Sequence, residues 1–374
     1  MPRALKRTLQ FLGIIIAVVL VVVIGYIAYL ELTYYRIADA TPVEVENNPT
    51  TTLAPQTTSK VATYNSGFGA YTPDYTFFMD EGVKNDGTAT VGEHSTAVSK
   101  ESVEACTAGA IDTLLGLDVD FALLQEVDTN STRSYQVNQK AAVENAYPDY
   151  SSAFAVNFHS GYLAYPVSDP HGTVNAGLLV VGDAHVDEAV RYSYPIDEAF
   201  PTKFFDLDRC FLIERLPVSN GKELILINSH MSAYDEGGLI RAQQFALLTG
   251  IMEKEASEGN YVIVGGDWNH ALCGSAELYP SQAKVPPWVA TFDDRLLPEG
   301  FSVVAAENLA EVPTCRNNDI PYEKGVTYTT TVDGFIVSSN VEATAQNIDT
   351  GFAYSDHNPV LLTFRLLPQT AEGN

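Results

Sequence analysis

Several short phrases in this chain place acids, amides and imidazoles at the edges of apolar runs. They are Thr63-Tyr64-Asn65, Leu124-Gln125-Glu126, Asn228-Ser229-His230, Gly265-Gly266-Asp267-Trp268-Asn269, Asp333-Gly334-Phe335-Ile336-Val337 and Ser355-Asp356-His357-Asn358-Pro359-Val360. Carboxylates and amide carbonyls are hard oxygen donors that suit Mg2+, with Mn2+ or Ca2+ as substitutes. Imidazoles exchange protons near neutral pH. Combined, these groups are the equipment of metal-assisted phosphoester hydrolysis.

Each phrase also has a plainer reading. Asn65 offers a carbonyl to a cation, or simply forms the turn before Ser66-Gly67. Glu126 leaves a buried run, which is expensive for a carboxylate unless it is paired or metal-bound, so it is read as a metal ligand. Strand alternation puts Leu224, Leu226, Asn228 and His230 on one face, where His230 could donate a proton to phosphate or to the departing oxygen. Asp267 could hold the attacking water or bind metal, and Asn269 could hydrogen-bond phosphoryl oxygens. Asp333 could orient His357, which would then deprotonate water. Asp356 would bind metal or position that water. Asn175 and Arg209 are candidate substrate-binding residues, with Lys203 beside them as a further cation. His94, His159 and His171 lie in presumed loops and are not assigned to catalysis.

These residues need strands to hold them. Apolar runs predict strands at 61–64, 121–124, 176–181, 211–216, 223–228, 261–264, 333–337 and 359–366. Asn220-Gly221 reads as a hairpin turn. Helical spacing predicts helices over 102–115 and 239–255. Asn65, Glu126, His230 and Asp267 each follow a strand, whereas Asp333 and the Asp356-His357 pair each precede one. If the last two strands run opposite to the first four, all these side chains meet at one edge. Segments 71–100, 130–170 and 273–326, rich in Gly, Pro, Asp and Tyr, are expected to be long loops around that edge.

The N-terminus is different. Residues 1–8 carry Arg3, Lys6 and Arg7, and residues 9–30 are almost unbroken apolar chain without charge. That length can cross a bilayer as a helix. The basic flank should remain in the cytoplasm, so the chain reads as a single-pass membrane protein with its bulk extracytoplasmic. A cleaved signal peptide is the competing reading, but the run is long for one and no small-residue cleavage site follows it. Residues 31–59 read as a Thr/Pro-rich tether in which Pro42, Pro49 and Pro55 prevent regular structure. Residues 60–368 form the expected catalytic domain, and 369–374 a tail. Cys106, Cys210, Cys273 and Cys315 match no zinc spacing, leaving free thiols or a disulfide open. The net charge of -26 argues against broad, salt-driven binding of nucleic acid.

The ordered set Asn65, Glu126, His230, Asp267 with Asn269, Asp333, and Asp356 with His357 resembles the endonuclease/exonuclease/phosphatase superfamily. That superfamily includes DNase I-like, neutral sphingomyelinase-like and inositol polyphosphate 5-phosphatase branches. The resemblance spans about residues 60–366. It implies a four-layered α/β/β/α sandwich of two mixed sheets flanked by helices, here preceded by one transmembrane helix. It implies magnesium dependence and cleavage of phosphodiesters or phosphomonoesters. By the same match Asn65, Glu126 and Asp356 serve the metal, and His230, Asp267, Asn269, Asp333 and His357 the chemistry. No second acidic partner for His230 is evident in the sequence. The expected function is a membrane-anchored phosphoesterase acting on a lipid head group, a nucleotide or nucleic acid, with the bilayer as its other partner and no obligate protein partner. An extracytoplasmic DNase I-like nuclease and an inactive binding module of the same fold are the alternatives.

Overall fold

The computed structural model describes residues 2–233 and 239–368; the expected 369–374 tail lies outside the described residues. Two mixed sheets face each other. Among the described residues each carries seven strands. The first runs in the order Thr41–Pro42, Glu188–Ser193, Cys210–Pro217, Glu223–His230, Tyr261–Asp267, Asp333–Ser338, Phe301–Val303. The second runs Val341–Asn347, Val360–Leu366, Thr58–Asn65, Phe121–Asp128, Gly172–Gly182, Ser151–Leu163, Val45–Glu46.

Alternation along the strands fills three apolar layers. Between the sheets lie Val61, Leu123, Leu178, Leu212, Leu226, Ile263, Phe335 and Leu362. Ile225, Ile227, Val262 and Val264 turn outward, against Phe245, Leu248 and Met252 of the helix Leu239–Ser257. Ala62, Tyr64, Leu124 and Leu179 turn the other way, against the helices Lys100–Leu117 and Gln139–Ala146. The result is the expected four-layered sandwich. Ser99 caps its helix by accepting from the Ser102 backbone N–H at 3.1 Å.

Strand direction brings the chemistry together. Thr58–Asn65 is parallel to Phe121–Asp128, and Glu223–His230 is parallel to Tyr261–Asp267. Val360–Leu366 runs antiparallel to the first pair and Asp333–Ser338 antiparallel to the second. The last residues of four strands and the first residues of two therefore share one edge.

Several segments differ from expectation: 71–100 holds the antiparallel pair Glu81–Val83 and Ala89–Val91, and 273–326 supplies the strand Phe301–Val303. Residues 130–170 are not one long loop, because they contain the helix Gln139–Ala146 and the long strand Ser151–Leu163. Nor do prolines keep the 31–59 segment free of structure. Thr41–Pro42 pairs with the edge strand of the first sheet and Val45–Glu46 with the edge strand of the second. The Leu53 and Gln56 backbone N–H groups then donate to Pro217 O and Leu366 O. Proline is tolerated at a sheet edge, where one side of the strand needs no donor. The segment thus lies along the domain and covers edges that would otherwise invite aggregation.

The helix Arg3–Thr33 is the one described helix long and apolar enough to cross a membrane, with mean hydropathy 3.1 over its most apolar window. Its C-terminal turns touch the domain. The Tyr26 hydroxyl donates to Tyr162 O at 3.1 Å and accepts from Ala164 N at 2.8 Å. Tyr162 N donates to the Tyr29 hydroxyl at 2.8 Å.

Candidate active site

The shared edge forms the floor of a cavity of about 220 Å³. Glu126, Arg209, His230, Asp267, Asn269, Asp356 and His357 line it. Asp333 and Asn65 lie beneath, touching these residues.

Local backbone geometry aims several of them. The ladder between Phe121–Asp128 and its neighbour slips register between Leu124 and Val127, and Glu126 sits at that bulge with φ +55°. The bulge turns a strand residue out of alternation and into the cavity. Asn269 is also left-handed, at φ +49°. Gly266 has φ +153°, and a Cβ there would stand 1.9 Å from Ser229 O. That glycine lets the parallel strands carrying His230 and Asp267 come together, rather than making room for a ligand. Below them, the Gln125 amide donates to Asn228 Oδ1 at 2.7 Å, and the Asn228 amide donates to Leu124 O at 3.0 Å. These bonds join the two sheets just under the site.

Asp267 is the hub. Its Oδ2 accepts from Asn65 Nδ2 at 3.0 Å and lies 3.5 Å from His230 Nε2 and 3.9 Å from His357 Nε2. Its Oδ1 accepts from the Asn269 backbone N–H at 2.9 Å. The Asn269 amide donates to Met231 O at 2.8 Å. Asp333 Oδ2 bonds His357 Nδ1 at 2.8 Å, leaving Nε2 toward Asp267. Ser355 Oγ donates to Asn65 O at 2.8 Å and accepts from His357 N at 3.1 Å, fixing the Asp356-His357 turn. His230 Nε2 lies 4.0 Å from Glu126 Oε1, and its Nδ1 is buried without a hydrogen-bond partner among the described residues.

Burial shapes the protonation of this cluster. It pushes Asp267 up to about 6, with the Asp333 charge adding to the effect. Glu126 is raised by burial, against the opposing pull of Arg133. Burial, reinforced by Arg209 and His357, holds His230 well below the ordinary imidazole value. For His357 burial opposes the cation, but the Asp333 carboxylate prevails and lifts it well above that value. The two histidines are therefore pushed in opposite directions.

Two donor groups could hold an ion. Ligand atoms of Asp267, Asp333 and His357 all lie within 4.8 Å of one another. An ion there would compete with the Asp333–His357 hydrogen bond. Glu126 and Asp356 offer oxygen alone. Asn65 lies beside them, donating to Glu126 Oε1 at 3.3 Å while its Oδ1 accepts from Gly67 N at 3.0 Å. As oriented, Asn65 braces the carboxylates. The Asp356 charge adds to the cost that burial sets on ionising Glu126, a negative charge excess that suits a hard cation.

Other residues sort as follows. Arg209 is buried at the cavity wall, and its Nε and Nη1 have no hydrogen-bond partner among the described residues, with Asp206 3.9 Å away. Asn175 stays outside the cavity lining. Its backbone serves Thr129 and Ser131, and its strand neighbour is His159. Lys203 is also elsewhere, bonded to Glu31 at 2.9 Å. The four cysteines are free thiols, three of them buried.

Some lining residues carry no sequence signal. Asn318 donates to both Asp356 and Asp80, bridging two carboxylates at 2.8 and 3.0 Å. Arg133 is locked bidentate on Asp128 and lies over the Phe68 ring. The upper wall is aromatic, with Tyr71, Phe77, Phe78, Phe158, Tyr165 and Phe205. His171, expected to be idle, lines the wall; burial and then Arg133 push it down to about 3, so it stays neutral there.

The model of the Endonuclease/Exonuclease/phosphatase family matches residues 62–357, which span every residue of this cluster. The chain belongs to that family. Solved structures of similar shape include the following three. TDP2 from Caenorhabditis elegans is 13% identical over 83% of this chain and 75% of its own, with a TM-score of 0.52. TDP2 from D. rerio, solved with a single-stranded DNA product, is 16% identical over 83% and 100%, at 0.51. ANGEL2, described as a 2',3'-cyclic phosphatase and solved with adenosine-2',3'-vanadate, is 14% identical over 88% and 99%, at 0.52. At such identities the likeness is one of fold. No curated protein matches the chain by sequence. Members of this family are phosphoester hydrolases that generally use divalent metal ions.

Proposed function

We propose that this chain is a membrane-anchored, Mg2+-dependent phosphoesterase with its catalytic domain outside the cytoplasm. The observation that carries the reading is the Asp267 carboxylate set between His230 and the Asp333-bound His357, where burial favours the neutral ring of His230 and the Asp333 charge favours the imidazolium of His357. Such opposed protonation states divide acid and base work at one pH.

Glu126 and Asp356 would hold the cation, with Asn65 and Asn318 bracing them. A bound Mg2+ supplies positive charge to phosphoryl oxygens and lowers the cost of charge on the departing one. The chain's own groups do the rest. Asp267, raised to about 6, is tuned to take the proton of an attacking water held at Oδ2. Asp333 favours the imidazolium of His357, from which Nε2 donates to a phosphoryl oxygen. His230 and the second amide hydrogen of Asn269 face the same oxygens. Water bonds to phosphorus on one side as the ester oxygen departs from the other. The buried guanidinium of Arg209, whose Nε and Nη1 lack a hydrogen-bond partner among the described residues, is suited to a second phosphoryl oxygen.

Anchoring rests on the uncharged run 9–30 and its basic flank. A nuclease is the weaker reading, because a net charge of -26 repels a long polyanion.

The test is hydrolysis of bis-p-nitrophenyl phosphate by the full chain in detergent. Turnover should need Mg2+ or Mn2+, stop with EDTA, and fall about 10²–10⁴-fold in His357→Ala. No turnover with any divalent metal would instead favour an inactive binding module.

A further inference from the structure

The wall of the cavity and the foot of the apolar helix are one piece of packing. Leu30 of the helix shares a cluster with Phe158, Leu163 and Phe204, joined by Tyr26, Tyr34 and Leu207. Phe158, Leu163 and Leu207 line the cavity. The two loops at its mouth are both tied to the helix. Residues 162–164 bond Tyr26 and Tyr29. In the second loop Lys203 bonds Glu31 at 2.9 Å, and the Phe204 ring meets that of Tyr34 edge-on at 5.8 Å.

Those loops carry an exposed apolar rim. Val167 is 86% exposed, Tyr165 58% and Phe200 57%, with Tyr162 and Phe205 beside them. Exposed apolar groups gathered at one mouth mark an interaction surface. The helix says which. At about 1.5 Å per residue the run 9–30 spans roughly 30 Å, the hydrocarbon thickness of a bilayer. Tyr26, Tyr29, Tyr34 and Tyr35 then fall at its end, the level at which aromatic residues collect in membrane proteins. Loops bonded to Tyr26, Tyr29 and Glu31 fall at that level too.

We propose that the rim formed by residues 162–167 and 200–205 seats in the membrane that the helix spans, so that the cavity draws its phosphoester from a lipid of that leaflet. This rests on the anchored phosphoesterase reading. The reacting phosphate of a lipid lies at the bilayer surface, where the aromatic upper wall can hold apolar parts of the substrate while Arg209, with the cation that the acidic floor would hold, receives the headgroup phosphate.

The experiment uses the full chain in zwitterionic vesicles. One arm presents sphingomyelin, phosphatidylcholine, phosphatidic acid or a phosphoinositide in the same bilayer. The other supplies bis-p-nitrophenyl phosphate or nucleotides in solution. Val167→Glu with Phe200→Glu puts charge on the rim without touching the cavity lining. It should cut lipid turnover at least about tenfold and leave bis-p-nitrophenyl phosphate turnover within about twofold. Separately, the fluorescence of Val167→Trp should be quenched by brominated lipids beyond the parent chain. Absence of that quenching overturns the proposal whatever the activity. So does lipid turnover indifferent to the double variant. Refusal of every lipid alongside turnover of the soluble diester overturns it and leaves the phosphoesterase reading standing. No turnover of anything removes that reading instead, and the lipid assignment with it.

Discussion

A single carboxylate, Asp333, determines what His357 can do. It has one oxygen on Nδ1 at 2.8 Å, while its other oxygen is buried without a hydrogen-bond partner among the described residues. Removing the charge and keeping the shape, as in Asp333→Asn, removes the interaction that overcomes burial at His357. The imidazolium should then give way to the neutral ring, and an amide can hold the wrong tautomer. Turnover of bis-p-nitrophenyl phosphate should fall by about 10²–10⁴, with KM changed far less than kcat. An unchanged kcat would mean that Asp333 only supports packing. At this scale the sequence was informative, since Asn65, Glu126, His230, Asp267, Asn269, Asp333, Asp356 and His357 all gather at one strand edge. Adjacency to an apolar run signals both burial and placement, which is why these residues could be read. Asn175 misled because a strand start says nothing about which strands border the cavity. Arg133, Asn318 and the aromatic wall lie in stretches without periodicity, so no local pattern ties them to the site.

Among the strands, the least expected residue is Glu214. It lies on Cys210–Pro217 between Leu212 and Leu216 in alternation, facing the layer between the sheets. Both carboxyl oxygens are buried without a hydrogen-bond partner among the described residues, and burial pushes the group up to about 8. Unfolded, it would titrate near the usual glutamate value of about 4.3. Between these values the unfolded chain releases a proton that the folded chain keeps. Stability is therefore undiminished below the lower value and declines as pH rises toward 8. Glu214→Gln removes that titration. Its unfolding free energy, read from denaturant melts, should exceed that of the parent by a margin that widens from pH 5 to pH 8, reaching a few kcal/mol at most. A constant margin would show the carboxylate to be solvated. Strand elements show why sequence reading succeeded only in part. Strands of the inner pairs are continuous apolar runs and were legible. Ser151–Leu163 was not, because an outer strand interleaves Ser, Asn, His and Gly and resembles a loop. Thr41–Pro42 and Val45–Glu46 were hidden because proline forbids an interior strand but not an edge.

For the whole molecule, charge and the proposed anchor would act against each other. A domain within a chain of net charge -26 would be held close to a bilayer by the helix, on the proposed function, and by the apolar rim, on the inference above. On a zwitterionic surface that charge has little to push against. On an anionic surface the domain is repelled within a Debye length, about 8 Å at physiological salt and longer when salt is low. The rim would then be lifted from the lipid while the helix stays inserted. Turnover of a zwitterionic lipid should therefore fall as anionic lipid is added at low ionic strength, and recover as salt is raised. Turnover of bis-p-nitrophenyl phosphate in the same vesicles has no such need for contact and should vary much less. Divalent cation must be saturating throughout, so that screening is not confused with filling the proposed Glu126–Asp356 site. If the two substrates respond alike, the charge acts on the active site itself rather than on the seating of the domain. If added anionic lipid instead raises turnover, a local basic surface outweighs the net charge, and the picture of a repelled domain is wrong.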